Sequence, residues 1–443
     1  MLGVFVAASI TALIALVVIY RYGGEIQFRM RMIKQFVGAP KEADPSSIDV
    51  QEPDASIMNG SAWAEFCDAL ESASRSILDS RAPQDEATRA QGFRYLTSLL
   101  ASGLTMYMFS DPERPRFVRP LDWNVKWGLD NSDALYLVTS INPEGEYVIR
   151  GKRGTVGFFD IQTSCGRFGS NRPMRVLSSI NGVDMDIEPD GTFEIVVSQQ
   201  RHEGNWLPLT PEANQIGVRQ FFIDWDTEEA PEIRIERTDV KLDPPTPSSH
   251  EVAKRLRRVS GFVAGSANLW LEFVLGRRPL HLNELSEPAG ANELQGSNAQ
   301  VYGSCYFRLE PSEALLIEVV PPEAAYWNFE LGDFWFQSLD YANRVISINK
   351  HQAKIDPDGV LRVVVSGKDP GLVNWLDTAG WREGTMTYRW ALAKTTPHPS
   401  TKKVQLDELP DLVPGDAIRA TQEERDDEIR RRRRHVEYRF NRG

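Results

Sequence analysis

The residues whose types and spacing could do chemistry in this 443-residue chain gather between Tyr326 and Trp390. Tyr326-Trp327-Asn328-Phe329-Glu330-Leu331 alternates, which predicts one strand face carrying Trp327, Phe329 and Leu331. Phe334-Trp335-Phe336 reads as its continuation, and Trp375, Trp381 and Trp390 follow. Two readings fit these aromatics. In one they are the core of a β-sandwich. In the other Trp327, Trp335 and Trp375 line an apolar cleft where Asn349, Asn374 and Asp377 orient a ligand. Asp377 is then the candidate general acid or base, unless its side-chain oxygen simply holds a turn.

Stronger signatures are missing. The chain has no G-x-S-x-G elbow, no H-E-x-x-H pair and no G-x-x-x-x-G-K-[ST] loop. Its six histidines stand far apart in sequence. The run Asp130-Asn131-Ser132-Asp133 has spaced oxygens but lacks the glycine and distal glutamate of a calcium loop, so it reads as a turn or cap. Cys67, Cys165 and Cys305 are too few for a disulfide framework or zinc site and read as buried small apolar residues. No metal or cofactor follows from these patterns.

The elements that would position such residues show an internal repeat. Residues 189–198 read PDGTFEIVVS, and residues 357–366 read PDGVLRVVVS. Asn205-Trp206-Leu207 follows the first block and Asn374-Trp375-Leu376 the second, at nearly the same offset. Each copy continues into an arginine strand, Arg219-Gln220-Phe221-Phe222 and Arg389-Trp390-Ala391-Leu392. In each, a tight Asp-Gly turn feeds a strand, and a Trp-bearing segment closes the sandwich. Two homologous β domains are predicted. Segments such as Ala134–Ser140, Glu146–Arg150 and Phe193–Ser198 are short, rich in Val, Ile, Phe and Tyr, and bounded by turn residues.

The fold expected is mainly β with some α. Residues 1–21 form a transmembrane anchor and 22–60 a juxtamembrane segment and linker. Residues 61–111 form a helical region, with Trp63, Phe66, Leu70, Ile77 and Leu78 in its first helix and Phe93, Leu96, Leu99, Leu100, Leu104 and Met108 in its second. Two related β-sandwich domains of jelly-roll type, 112–248 and 300–400, flank a connecting helix and loop at 249–299. A charged tail fills 401–443. The anchor rests on residues 2–20, an uncharged apolar run that spans about 29 Å as a helix. Arg21, Arg29, Arg31 and Lys34 follow it, which favours a single-pass protein of the cell (inner) membrane with its bulk in the cytoplasm. In the tail, acid-first pairs such as Asp427 and Arg431 support an exposed helix, either solvated or lying on an anionic leaflet. The net charge of −12 argues against nucleic acid as a partner.

The blocks Asn374-Trp375-Leu376-Asp377-Thr378-Ala379-Gly380 and Pro357-Asp358-Gly359, with the run Asp130–Asp133 and Tyr136, resemble a bacterial family. It is the one defined by domain of unknown function twelve-fourteen (DUF twelve-fourteen). The resemblance spans roughly residues 60–400 and implies a β-sandwich or jelly-roll fold. It implies no activity. The function expected is non-enzymatic: a tethered β-sandwich that binds a lipophilic ligand or a membrane partner protein. The alternative is an enzyme on a hydrophobic or carbohydrate-like substrate that uses Asp377.

Overall fold

Asp190-Gly191 and Asp358-Gly359 both make tight turns. In each, glycine takes the positive φ that other residues resist, and the Asp Oδ1 accepts the N–H two residues on. The strands that follow hold the key to the architecture. The computed structural model describes residues 53–240, 247–290 and 299–441. The proposed anchor at residues 2–20 and most of the linker lie outside the described residues.

The first half contains β1 Ala134–Ser140, β2 Tyr147–Lys152, β3 Phe158–Cys165, β4 Arg175–Asn181, β5 Thr192–Ser198, β6 Trp206–Pro208, β7 Gln215–Phe221 and β8 Glu232–Arg237. The second contains β9 Gln300–Arg308, β10 Glu313–Val319, β11 Ala324–Gly332, β12 Ser347–Asn349, β13 Leu361–Ser366, β14 Trp375–Asp377, β15 Glu383–Ala393 and β16 Ser400–Gln405. Each half is two four-stranded sheets, β1-β7-β3-β4 with β6-β5-β2-β8, and β9-β15-β11-β12 with β14-β13-β10-β16. A two-residue strand, Ala289–Gly290, extends the edge beside β9. Every strand of the first half has its counterpart in the second, in the same order. In both halves one pair is parallel, β5 with β6 and β13 with β14. A purely antiparallel jelly roll has no such pair, so that expectation holds only for the two-layer arrangement.

Side-chain bonds repeat as faithfully as strands. Asn205 Nδ2 donates to Asp186 O and Glu194 O, while Asn374 Nδ2 donates to Lys354 O and Arg362 O. Trp206 Nε1 reaches Ser198 O, and Trp375 Nε1 reaches Ser366 O. The Asn-Trp motif thus ties a short parallel strand to its neighbour, satisfying backbone groups the ladder leaves open.

Four longer helices complete the fold: α1 Ser61–Ala73, α2 Glu86–Gly103, α3 Ser249–Leu280 and α4 Gln422–Asn441. The two sequence-predicted helices of the 61–111 region are present, and Phe66 and Leu99 are buried as expected. Trp63 and Phe93 are exposed instead, and α2 buries Tyr95 and small residues beside Leu99. Cys67 is exposed as well, which corrects its reading as a buried apolar residue. Ser248 caps α3, whose side chains Val259, Phe262, Val263, Ala267, Trp270 and Val274 are buried. It is the one helix among the described residues long and apolar enough to cross a membrane, and 61% of its apolar window is buried within the protein. Trp335 is not part of a continuing strand. β11 ends at Gly332, the chain turns, and Trp335 enters the helical layer, where Nε1 donates to Thr88 O at 2.8 Å.

The tail is the charged helix that its acid-first pairs predict, with Arg432 paired to Glu428, but it also has a buried face. Arg425, Arg432 and Arg439, seven apart, form a buried stripe along α4. Arg425 donates to Leu372 O and Val373 O, Arg432 to Ser347 O, and Arg439 to Ser132 O. Periodicity missed this because it treats arginine as a solvent residue, whereas these guanidiniums are spent on backbone carbonyls and aromatic faces. Arg439 lies 4.5 Å from the ring centroid of Phe222 and 4.7 Å from that of Trp225.

His435, on the same face, stacks on Trp225 at 5.0 Å and accepts from Arg439 Nε at 2.9 Å. Burial, helped by the Arg439 charge, pulls its pKa down from 6.5 to about 2. The folded protein therefore prefers neutral His435. Its contribution is complete above pH 6.5 and is lost as pH falls toward 2, at up to about 1.4 kcal/mol per pH unit. Urea unfolding at pH 7 and pH 4 should show a smaller loss for His435→Gln than for the unaltered protein. Equal losses would remove this account of the tail.

Candidate functional site

Arg219 and Arg389, the arginines of the two repeated strands, face one cavity of about 160 Å³. Alternation explains how. Gln215, Gly217, Arg219 and Phe221 share one face of β7, as Thr387 and Arg389 share one face of β15. Each arginine stands opposite a tyrosine in the neighbouring strand, Tyr136 on β1 and Tyr302 on β9. The cavity therefore lies between equivalent sheets of the two halves, on the faces turned away from each sandwich core.

Aromatic side chains close the other walls. Trp127 meets Phe168 edge-on at 5.0 Å, and Trp270 of α3 stacks on Phe336 at 4.9 Å. The loop bearing Phe168 seats against α3 through Gly169, where φ is +70°. An added Cβ there would meet Gly265 backbone at 2.1 Å. Two of the residues with unusual positive φ, Leu129 and Phe336, line the cavity and bond to each other, Leu129 N to Phe336 O at 2.6 Å. Backbone strain of this kind collects at functional sites.

The two arginines are equivalent in position and different in partners. Arg389 Nη1 donates to Glu330 Oε2 at 2.5 Å, and Nη2 to Leu129 O at 2.8 Å. Burial pushes the Glu330 carboxyl up to about 7, with Arg389 pulling against that shift. Glu330 also accepts from Ser132 N at 2.8 Å. Arg219 Nη1 instead donates to the neutral amide of Gln162, at 2.9 Å. Gln162 in turn donates to Asp160. Asp130 also lines the cavity. Burial raises its pKa, Lys126 opposes that, and Ser338 donates to it through N and Oγ.

Beneath the cavity, Asp130–Asp133 is a buried junction between the halves. Asp133 Oδ1 accepts from Trp225 Nε1 and Asn349 Nδ2, both at 2.8 Å. Its Oδ2 accepts from the Tyr326 hydroxyl at 2.7 Å and Asn328 Nδ2 at 3.2 Å. No group of three or more His, Cys, Asp or Glu among the described residues could hold a metal ion.

The six residues singled out from sequence do not converge here, and none lines this cavity. Trp327 packs edge-on to Trp390 in the core, and Trp335 packs near Tyr95. Asn374 and Trp375 make the repeat's bonds described above. Asp377 accepts from Arg344 Nη1 at 2.7 Å and from Ala379 N at 2.8 Å. That is the bonding of a residue holding a turn. Asn349 comes nearest, through Asp133. Sequence reasoning passed over Arg219, Arg389, Tyr136 and Tyr302 as cavity residues. The signal available was a repeated arginine on a strand otherwise built for burial.

Asp133→Ala should strand four buried donors and cost about 3–5 kcal/mol. Asp133→Asn keeps one acceptor oxygen and should cost less. Chemical denaturation of both variants tests this, and an alanine variant within about 1 kcal/mol of the parent would refute the junction role.

A family model described as "Protein of unknown function (DUF1214)" matches residues 294–394, which span nearly the whole of the second β half. The crystal structure of an uncharacterized protein from Burkholderia cenocepacia is similar at 36% identity and a TM-score of 0.77. The match covers 80% of this chain and 99% of that one. The VPA0106 protein from Vibrio parahaemolyticus is similar at 12% identity and a TM-score of 0.40, over 71% of this chain and 98% of that one. No curated protein matches. On the likeness to the Burkholderia protein over 80% of its length and the family match of its second half, this chain belongs to the DUF1214 family.

Proposed function

We propose that this chain is a non-enzymatic binding protein that holds a small lipophilic molecule between its two β halves, tethered to a membrane through residues 2–20. The observation that carries the reading is the cavity itself: about 160 Å³, walled by Trp127, Phe168, Trp270 and Phe336 on one side. An apolar cavity of similar volume in another protein admits benzene, so the space suits a ligand about the size of one ring. Polar groups at a few fixed points on an apolar wall are the usual pattern of a small-molecule site. The tether is supported by the uncharged run at residues 2–20 and the basic residues after it, which favour a cytoplasmic binding domain. Asp377 gives the enzymatic alternative little support, because Arg344 and the Ala379 N–H already occupy its oxygens.

Gly217 offers a clean test. It lies on the cavity wall, and a Cβ built there meets no atom within 4 Å. With room for its Cβ, Gly217→Leu should project into the space and leave the melting temperature unchanged or raised. Native mass spectrometry of protein extracted from its own membrane should then show a small bound molecule on the parent chain and none on the variant. An adduct of the same mass and occupancy on both proteins would overturn the assignment of the cavity as the binding site.

A further inference from the structure

We propose that the ligand of this cavity is a small monocarboxylate with an aromatic or branched apolar body, its carboxylate held by Arg219. The inference rests on the cavity being a ligand site and goes further, to the ligand's charge.

The repeat supplies the comparison. At equivalent positions one guanidinium, Arg389, is consumed by the protein: Glu330 and the Leu129 carbonyl take its donors. Arg219 is held differently. Its partner is the Gln162 amide, oriented by Asp160, and its remaining N–H groups have no acceptor among the described residues. Asp160, the cross-strand partner of Arg219, is engaged by the Gln162 amide, which orients the arginine while leaving its fork of donors open. A planar fork of open donors fits a planar, singly charged carboxylate better than a larger polyanion.

A second, independent observation points the same way. Three side chains of the wall carry a buried polar group with no partner: Gln300 Nε2, Trp270 Nε1 and the Thr387 hydroxyl. All three residues are more than nine-tenths buried. Each can donate, and a buried donor left unmet is costly. A ligand that brings acceptor oxygens meets Arg219 and this set together. The aromatic wall opposite supplies the contact for an apolar body, and the cavity volume limits that body to about one ring.

The test uses the full-length protein in detergent, with Trp127 and Trp270 of the wall as the fluorescent reporters. Benzoate and its neutral analogue benzyl alcohol are titrated separately, with sulfate as a competitor. The expected result is saturable binding of both, with benzoate at least tenfold tighter and not displaced by equimolar sulfate. Arg219→Gln should weaken benzoate to the level of benzyl alcohol and leave benzyl alcohol unchanged. Equal affinity of the two probes in the parent protein, or unchanged benzoate binding in Arg219→Gln, overturns the carboxylate assignment while the cavity reading stands. Displacement by sulfate at comparable concentration overturns the monocarboxylate class. No saturable response to either probe overturns the cavity reading and this inference with it. Should Arg219→Gln fail to fold, the comparison of benzoate with benzyl alcohol on the parent chain decides alone.

Discussion

The carboxylate of Asp133 is the constraint on which the assembly depends. It is fully buried and accepts four hydrogen bonds from neutral donors on both halves of the chain. Taking a charge out of water is costly unless it is fully bonded, and here both oxygens are occupied twice. Trp225 belongs to the first half, and Tyr326, Asn328 and Asn349 to the second. All four donors are satisfied only in one relative placement of the two sandwiches. Apolar contact alone tolerates sliding. A buried carboxylate with four fixed donors does not. Two such misplaced groups would consume a large part of the 5–15 kcal/mol that stabilises a typical domain.

Duplication then explains the cavity. Two sheets of the same strand order present the same face to each other, with Arg219 and Arg389 at corresponding points. Divergence did the rest. In the ladder, Glu330 pairs with Thr387 where Gln162 pairs with Gly217. The second half carries a carboxylate beside its arginine and a side chain at position 387. The first carries a neutral amide and no side chain at position 217. One copy closed its polar centre into a structural ion pair, and the other left space and a guanidinium bonded only to a neutral amide. The asymmetry matters more than the symmetry. Two copies of the Arg389–Glu330 arrangement would leave neither repeated arginine with open donors.

Some of this was legible in sequence for local reasons. Ala134–Ser140 forms its strand because Tyr136, Val138 and Thr139 favour a pleated surface. The Asp-Gly turns and the Asn-Trp blocks marked the repeat because their bonds run within a few residues or to an adjacent strand. The paired arginine strands were visible as well, though not the cavity they face. What escaped depends on partners far away in sequence. Arg425, Arg432 and Arg439 look like a solvated charged face until the carbonyls of Leu372, Ser347 and Ser132 are placed opposite them. Asp130–Asp133 looks like a turn until Tyr326 and Asn349 arrive. The aromatic cluster around Trp375 misled for the same reason, since richness in tryptophan does not distinguish a packed core from a wall.

The tail, the junction and the cavity meet in a single four-residue segment. Arg439 donates to the carbonyl of Ser132, Asp133 beside it anchors both halves, and Asp130 and Asn131 line the cavity. Asn131 also donates to the Tyr326 hydroxyl, which donates in turn to Asp133. A displacement on one side of this segment is therefore felt on the other, because the same four residues carry bonds to both. Mass action gives that coupling a direction. A molecule that binds only the assembled cavity stabilises everything needed to assemble it, by an amount that grows with the logarithm of its concentration. The docked tail belongs to that set, because its arginine holds the segment's carbonyl in place. The buried stripe of α4 would then support the proposed binding site without lining the cavity.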